Sequence, residues 1–406
     1  MNRNKCLMVL AGLMLSASVM AEGERMSMLM NFDWKFKLGE TDGAQAAAYD
    51  DSSWRSLDLP HDFQIEMPWN EKASRSRGFK DMATAWYRKT FAASGDWKGK
   101  RVVLDFEGIM LHGDAYLNGT KVGGTDYGYL GFEADVSGLI KYDTLNVLAV
   151  HCSTGEASDS RWYTGGGLYR DVHLVVKNPV SVARHGIYVT TPEVSEQRAT
   201  VDVQVEVEGI RNKKCDLVVK ATILSPDGQV VGRSEVAAPK DSKQPTVEVG
   251  LPQLSIANPR LWWTEKPDLY TAEVALVLDG KTVDKVSQRF GIRTIEFSND
   301  FGLKLNGRKI FLKGVACHQD YGAVGVAAYE TSIARMMDRL KEFGFNHIRT
   351  SHNPYSESFL RLADEKGILV VDELYDKWSN TIAWAGRRPW TSIWWENVIE
   401  WVKRDR

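Results

Sequence analysis

The spacing of apolar residues changes once along this chain, and that change bounds the fold. Up to about Gly302 the spacing is two. Thr200-Val201-Asp202-Val203-Gln204-Val205-Glu206-Val207 alternates apolar and polar side chains, as a half-buried strand must. Arg101 to Phe106, Thr144 to His151, Leu217 to Leu224 and Ala272 to Leu278 repeat the pattern between turns. Asn118-Gly119 is a two-residue hairpin turn inside Ala115 to Val122, and Ser225-Pro226-Asp227-Gly228 is another turn. After Gly302, strands alternate with helices. Lys309 to Val315, Phe345 to Thr350 and Ile368 to Asp372 read as strands. Ser332 to Phe343 carries Ile333, Met336, Met337 and Leu340 at helical spacing, and Ser356 to Glu365 and Trp394 to Val402 also read as helices.

The chain is therefore multidomain, β followed by α/β. At 406 residues it is too long for one ordinary domain. Residues 1–21 read as a secretory signal peptide: Arg3 and Lys5 precede an apolar run from Leu7 to Leu15, and Val19-Met20-Ala21 offers a cleavage site. The expected location is secreted or periplasmic. Residues 22–178 have the length and strand pattern of a jelly-roll sandwich. Residues 179–294 suit an immunoglobulin-like sandwich without its inter-sheet disulfide. Residues 295–406 suit the first three strands of a (β/α)8 TIM barrel, which needs eight when closed. Cys152, Cys215 and Cys317 are too scattered for a disulfide framework or a metal site and read as buried small hydrophobes. A net charge of −2 argues against nucleic acid and against an anionic membrane surface as partners.

Polar residues gather where the barrel strands stop, which is where such a barrel keeps its chemistry. Arg349 and His352 follow one strand, His318 and Asp320 another, and Asp372-Glu373 the third. Adjacent strand residues point to opposite faces, so Asp372 and Glu373 cannot together flank one bond. Glu373 is expected to support a site rather than to react. The 14 Trp residues suit both sugar stacking and core packing, and Trp384, Trp390, Trp394 and Trp395 are open to either use.

The order of several motifs resembles glycoside hydrolase family 2, the family of β-galactosidases, β-glucuronidases and β-mannosidases. Leu59-Pro60-His61-Asp62, Ala85-Trp86-Tyr87-Arg88-Lys89-Thr90-Phe91, Ala115-Tyr116-Leu117-Asn118-Gly119, Arg161-Trp162-Tyr163 and Gly167-Leu168-Tyr169-Arg170-Asp171-Val172 are similar to its N-terminal sugar-binding sandwich. Pro259 to Trp263, Pro267 to Tyr270 and Phe290 to Arg293 resemble its second domain. Arg349-Thr350-Ser351-His352-Asn353-Pro354 resembles its first signature, with Asn353 where many members carry Tyr.

The resemblance implies roles. His318 and His352 would contact sugar hydroxyls, with Asp320 beside them. Arg349 would hold a catalytic carboxylate ionised, and Asn353 and Glu373 would support the site. The family's two catalytic glutamates follow its fourth and seventh barrel strands, and its acid/base motif opens Asp-Arg-Asn-His-Pro. The chain ends at Asp405-Arg406, so no catalytic residue is expected within it. Two departures matter. An Asp that reaches the sugar in well-known members is Arg161 here, and a guanidinium only donates; Asp159 is the nearest substitute. A Glu-x-His that binds Mg²⁺ in some members is Asp376-Lys377-Trp378 here, so no metal and no other cofactor is expected, and Trp378 is a candidate apolar wall.

The expected activity of the whole protein is retaining hydrolysis of terminal non-reducing β-D-galactose from a β-galactoside oligosaccharide or glycan, with this portion inactive by itself. β-Glucuronidase or β-mannosidase activity is the alternative within the family. A non-catalytic carbohydrate-binding module or pseudoenzyme is the alternative outside it. A homo-oligomer is left open.

Overall fold

The structure, a computed structural model, describes residues 25–155, 161–211, 216–239, 242–377 and 387–406. The expected signal peptide, Cys215, Asp159, Trp378 and Trp384 lie outside the described residues.

The first unit is a jelly-roll sandwich of two antiparallel sheets. One runs Met26–Leu29, Val172–Lys177, Arg101–Phe106, Phe132–Asp135. The other runs Arg55–Leu57, Trp34–Leu38, Thr84–Ala93, Thr144–Ser153, His112–Leu117, Thr120–Thr125. Alternation decides which side chains meet between the sheets: Val102, Leu104 and Phe106 turn inward against Trp34, Tyr87, Leu148 and Val150. The hairpin turn falls where the sequence places it. Leu117 pairs with Thr120, and Asn118 and Gly119 have φ of 51° and 89°, the left-handed values a type I′ turn demands.

The second unit is the immunoglobulin-like sandwich. Arg198–Glu208 pairs with Ser181–Thr190 and Thr246–Gly250, and Leu217–Leu224 lies between Val230–Ala237 and Tyr270–Leu278. Val201, Val203, Val205 and Val207 face Val219, Ala221, Ile223, Val274 and Leu276 in one core. Cys152 is buried, but Cys317, at the end of its strand, is only half-buried against the helix-side cluster.

The third unit is the start of the TIM barrel: β1 (Gly314–Cys317), α1 (Glu330–Glu342), β2 (His347–Thr350), α2 (Glu357–Lys366), β3 (Leu369–Val371) and α3 (Trp390–Asp405). The strands pair in parallel, Gly314 with His347 and His347 with Leu369. The run expected as one strand from Lys309 divides. Arg308–Lys309 folds back antiparallel on Gly302–Leu305 across the Asn306-Gly307 turn, and β1 begins only at Gly314. Ser356 caps α2 by accepting from the Phe359 amide, and Gly367 ends it at φ 70°. The helices bury Ile333, Met337, Phe359 and Leu362 on the outer side of the sheet.

Helix α3 starts four residues earlier than expected, directly after Pro389. It lays Ile393, Val398 and Trp401 in a cluster with Tyr127, Tyr129 and Leu130 of the first sandwich, and Trp390 joins them. Trp394 and Trp395 point to solvent. The sandwich and barrel thus share a core.

Candidate active site

Three rings from two units meet at the ends of β1 and β2. His318 follows β1, His352 follows β2, and Trp162 comes from the first sandwich. The Trp162 and His318 rings stack with centroids 5.7 Å apart and planes 18° apart. His352 stands edge-on to both, 5.5 Å from each. The Trp162 indole N–H donates to the Tyr129 hydroxyl at 3.2 Å, which fixes the ring. Burial, reinforced by the nearby His352, lowers the His318 pKa. A neutral imidazole offers both a donor and an acceptor to a sugar hydroxyl.

Glu373 organises the other side of His352. Arg349 Nε donates to Glu373 Oε1 at 2.5 Å, and His352 Nδ1 lies 2.9 Å from Glu373 Oε2. Arg349 was expected to hold a catalytic carboxylate; the carboxylate it holds here is Glu373. Asp372 turns the opposite way, accepting from Thr350 Oγ1 at 2.7 Å and from the Trp401 indole. The two neighbouring acids therefore serve different partners, as strand alternation requires. Asp320 is exposed, and its charge reaches His318.

Arg161 is not a lone departure. Its Nη2 and Nε donate to Asp376 Oδ1 and Oδ2 at 2.5 and 3.2 Å. Asp376 Oδ1 is 3.8 Å from His352 Nδ1, so this pair borders the ring cluster. Both carboxylate oxygens of Asp376 thus accept from the Arg161 guanidinium.

Beneath the wall, buried polar residues dock sandwich to barrel. Arg170 Nη1 donates to the Tyr129 carbonyl at 2.9 Å, while Nη2 donates to Gln319 Oε1 at 3.0 Å and the Pro354 carbonyl at 2.8 Å. Gln319 Nε2 then donates to Asn353 Oδ1 at 2.9 Å. Asn353 is 1% exposed, so it supports the loop carrying His352 from below. Asp62 accepts four hydrogen bonds: from the amides of Gln64 (2.9 Å), Gly166 (3.0 Å) and Val326 (3.0 Å), and from the Tyr163 hydroxyl (2.7 Å). Burial raises its pKa despite these donors. Gly325 must be glycine: its φ is 60°, and a Cβ there would sit 2.1 Å from Asp62 Oδ2.

Sequence reasoning found His318, His352, Arg349, Asn353 and Glu373 as neighbours of strand ends. It gave no role to Trp162, Asp376, Asp62, Arg170 or Gln319. Four of these stand in or beside quoted motifs, but their partners are distant in the chain. Asp376 was weighed only as a metal ligand.

The site is the mouth of a partial TIM barrel, lined by imidazoles, an indole and paired carboxylates, with the jelly-roll sandwich forming part of its wall, an architecture of the multidomain glycosidase class. Family models agree along the chain. Residues 34–162 match the glycosyl hydrolase 2 galactose-binding domain-like model, 184–293 match glycosyl hydrolases family 2, and 298–385 match the family 2 TIM barrel domain. The chain is 33% identical over 396 residues to a β-galactosidase of Bacteroides ovatus, covering 96% of this chain and 46% of that protein. It is 30% identical over 374 residues to a β-glucuronidase of Bacteroides fragilis, covering 88% and 50%. A crystal structure of a family 2 member from Bacteroides cellulosilyticus superposes with a TM-score of 0.87 at 31% identity, covering 94% of this chain and 50% of that one. The chain belongs to glycoside hydrolase family 2. It spans about half the length of these relatives.

Proposed function

We propose that the whole protein removes terminal non-reducing β-D-galactose residues from β-galactosides with retention of configuration. This chain supplies the wall that orients the sugar. The observation that carries the proposal is the Trp162, His318 and His352 cluster at the strand ends, with the Arg349–Glu373 pair beside it. An indole offers an apolar face to sugar C–H groups, and imidazoles offer hydrogen bonds to hydroxyls. Retaining hydrolysis needs two carboxyl groups about 5–5.5 Å apart. In this proposal both come from later strands of the barrel. Secretion, from the leader pattern at residues 1–21, belongs to the same proposal.

The test is turnover of nitrophenyl β-galactoside, β-glucuronide and β-mannoside by the product of the complete reading frame. Galactoside hydrolysis with a β-configured first product is expected. Turnover of another glycoside alone would overturn the choice of sugar. Sugar binding without turnover of any would point to a binding module instead. A β-glucuronide is the second substrate reading, favoured by the guanidinium of Arg161 beside His352.

A further inference from the structure

His318 and His352 both stand just beyond the last rung of the ladder between β1 and β2. Cys317 pairs with Thr350, and the Ser351 amide donates to the Cys317 carbonyl at 2.9 Å. Among the described residues no backbone hydrogen bond joins the two loops past that point. The two imidazoles, edge-on with centroids 5.5 Å apart, therefore take their spacing from side chains. The residue after each histidine supplies a link. Gln319 Nε2 donates to Asn353 Oδ1 at 2.9 Å, from one loop to the other, and both residues are buried.

A primary amide has an acceptor end and a donor end. Gln319 turns them to different units. Its Oε1 accepts from Arg170 Nη2 of the sandwich at 3.0 Å, while its Nε2 serves the barrel. The same Arg170 nitrogen donates to the Pro354 carbonyl at 2.8 Å, two residues beyond His352. One sandwich guanidinium thus holds both barrel loops, and Gln319 closes the triangle. Arg170 is itself anchored on the Tyr129 carbonyl, and the Tyr129 hydroxyl accepts from the Trp162 indole. An apolar side chain at position 319 would fill the same space but leave a buried donor of Arg170 and a buried acceptor of Asn353 without this partner. Resting on the glycosidase reading above, we propose that Gln319 is a positioning residue for both histidines of the wall. It sets their spacing by joining the two loops to each other and to Arg170, and it acts on the sugar only through them.

The test uses the complete protein as wild type, Gln319→Met, Asn353→Leu and the double variant. One readout is kcat and KM, well below the melting temperature, on whichever nitrophenyl glycoside wild type hydrolyses. The other is the imidazole Cε1–H resonances of His318 and His352 without substrate, assigned by replacing each histidine in turn. Gln319→Met is expected to move both resonances and to lower kcat/KM by about 10–100-fold, the scale of a misplacement of about an ångström. Asn353→Leu gives a loss of similar size and reads the pair from its other side if Gln319→Met does not fold. The double variant loses no more than about threefold beyond either single variant, because the two changes break one bond. Unmoved resonances, a kcat/KM within about threefold of wild type with only a lower melting temperature, or losses that multiply in the double variant overturn the proposal. The resonances need no turnover. A wild type that hydrolyses none of the glycosides therefore defeats the glycosidase reading, while the effect of Gln319 on the two histidines is still measured.

Discussion

The Trp162 indole, carried by the first sandwich, lies nearly parallel to the His318 imidazole that follows β1, with 5.7 Å between ring centroids. Neither unit alone holds both rings. The ring face between the two units is a product of docking.

Replacing Trp162 by alanine removes the stacking surface and frees both histidines. We expect kcat/KM of the complete protein to fall by about 10–100-fold, the range for losing a buried aromatic contact and the orientation it gives. Trp162→Phe should recover part of the loss. Equal activity of the alanine variant and wild type would remove Trp162 from the site.

Glu373→Gln tests the support given to His352. The amide keeps the size but presents one acceptor where Arg349 and His352 now share two. A drop in kcat/KM of about tenfold or more is expected, with melting temperature little changed, because Arg349 is partly exposed and screened. Steady-state kinetics beside a thermal scan would show it.

Arg170→Met addresses docking. The guanidinium is 1% exposed and joins Tyr129, Gln319 and Pro354 across the seam. Its removal leaves three buried acceptors short of a donor and should cost about 3 kcal/mol. Denaturant unfolding is expected to separate into two transitions as barrel and sandwich part. A single transition at the wild-type midpoint would refute this.

The fold was largely legible because periodicity is a local property. Val201 to Val207 and Ile333 to Leu340 state their faces within a few residues. The break between Lys309 and Gly314 was missed because Ile310 and Phe311 are apolar enough to read as strand, though Phe311 is 70% exposed. The site was legible only in part. His318 and His352 follow strands, and position alone marks them. Arg161 and Asp376 look unrelated 215 residues apart, and only folding shows that one pairs with the other. Asp62 and Arg170 look like ordinary surface charges until their burial is known.

Stability should peak in mildly acidic solution. Burial pushes the Glu107 carboxyl up to about 7 from 4.5, and His173 is raised first by its hydrogen bond to Glu107. Over that window the folded protein keeps a proton that the unfolded chain has released, so stability falls as pH rises from about 4.5 to 7. Burial alone would raise Glu400, but His185 and Arg184 outweigh it and bring it down to about 2. That stabilisation is lost as pH falls from about 4.5 toward 2. Glu107→Gln should flatten the limb between about pH 5 and 7 and raise stability at neutral pH by up to about 2 kcal/mol. Melting curves across pH would test this, and an unchanged slope in the variant would refute it.

Asp62 has a consequence for how such proteins diversify. One carboxylate ties the sandwich's Tyr163 and Gly166 to Val326 of the barrel, and it tolerates only glycine at Gly325. A recombination event that exchanges the sandwich for that of a relative keeps the seam as long as the aspartate and that glycine are present in the two parents. The incoming segment then brings its own residues at positions 161 and 162. The ring wall at the barrel mouth is then exchanged together with the sandwich, without any change in the barrel.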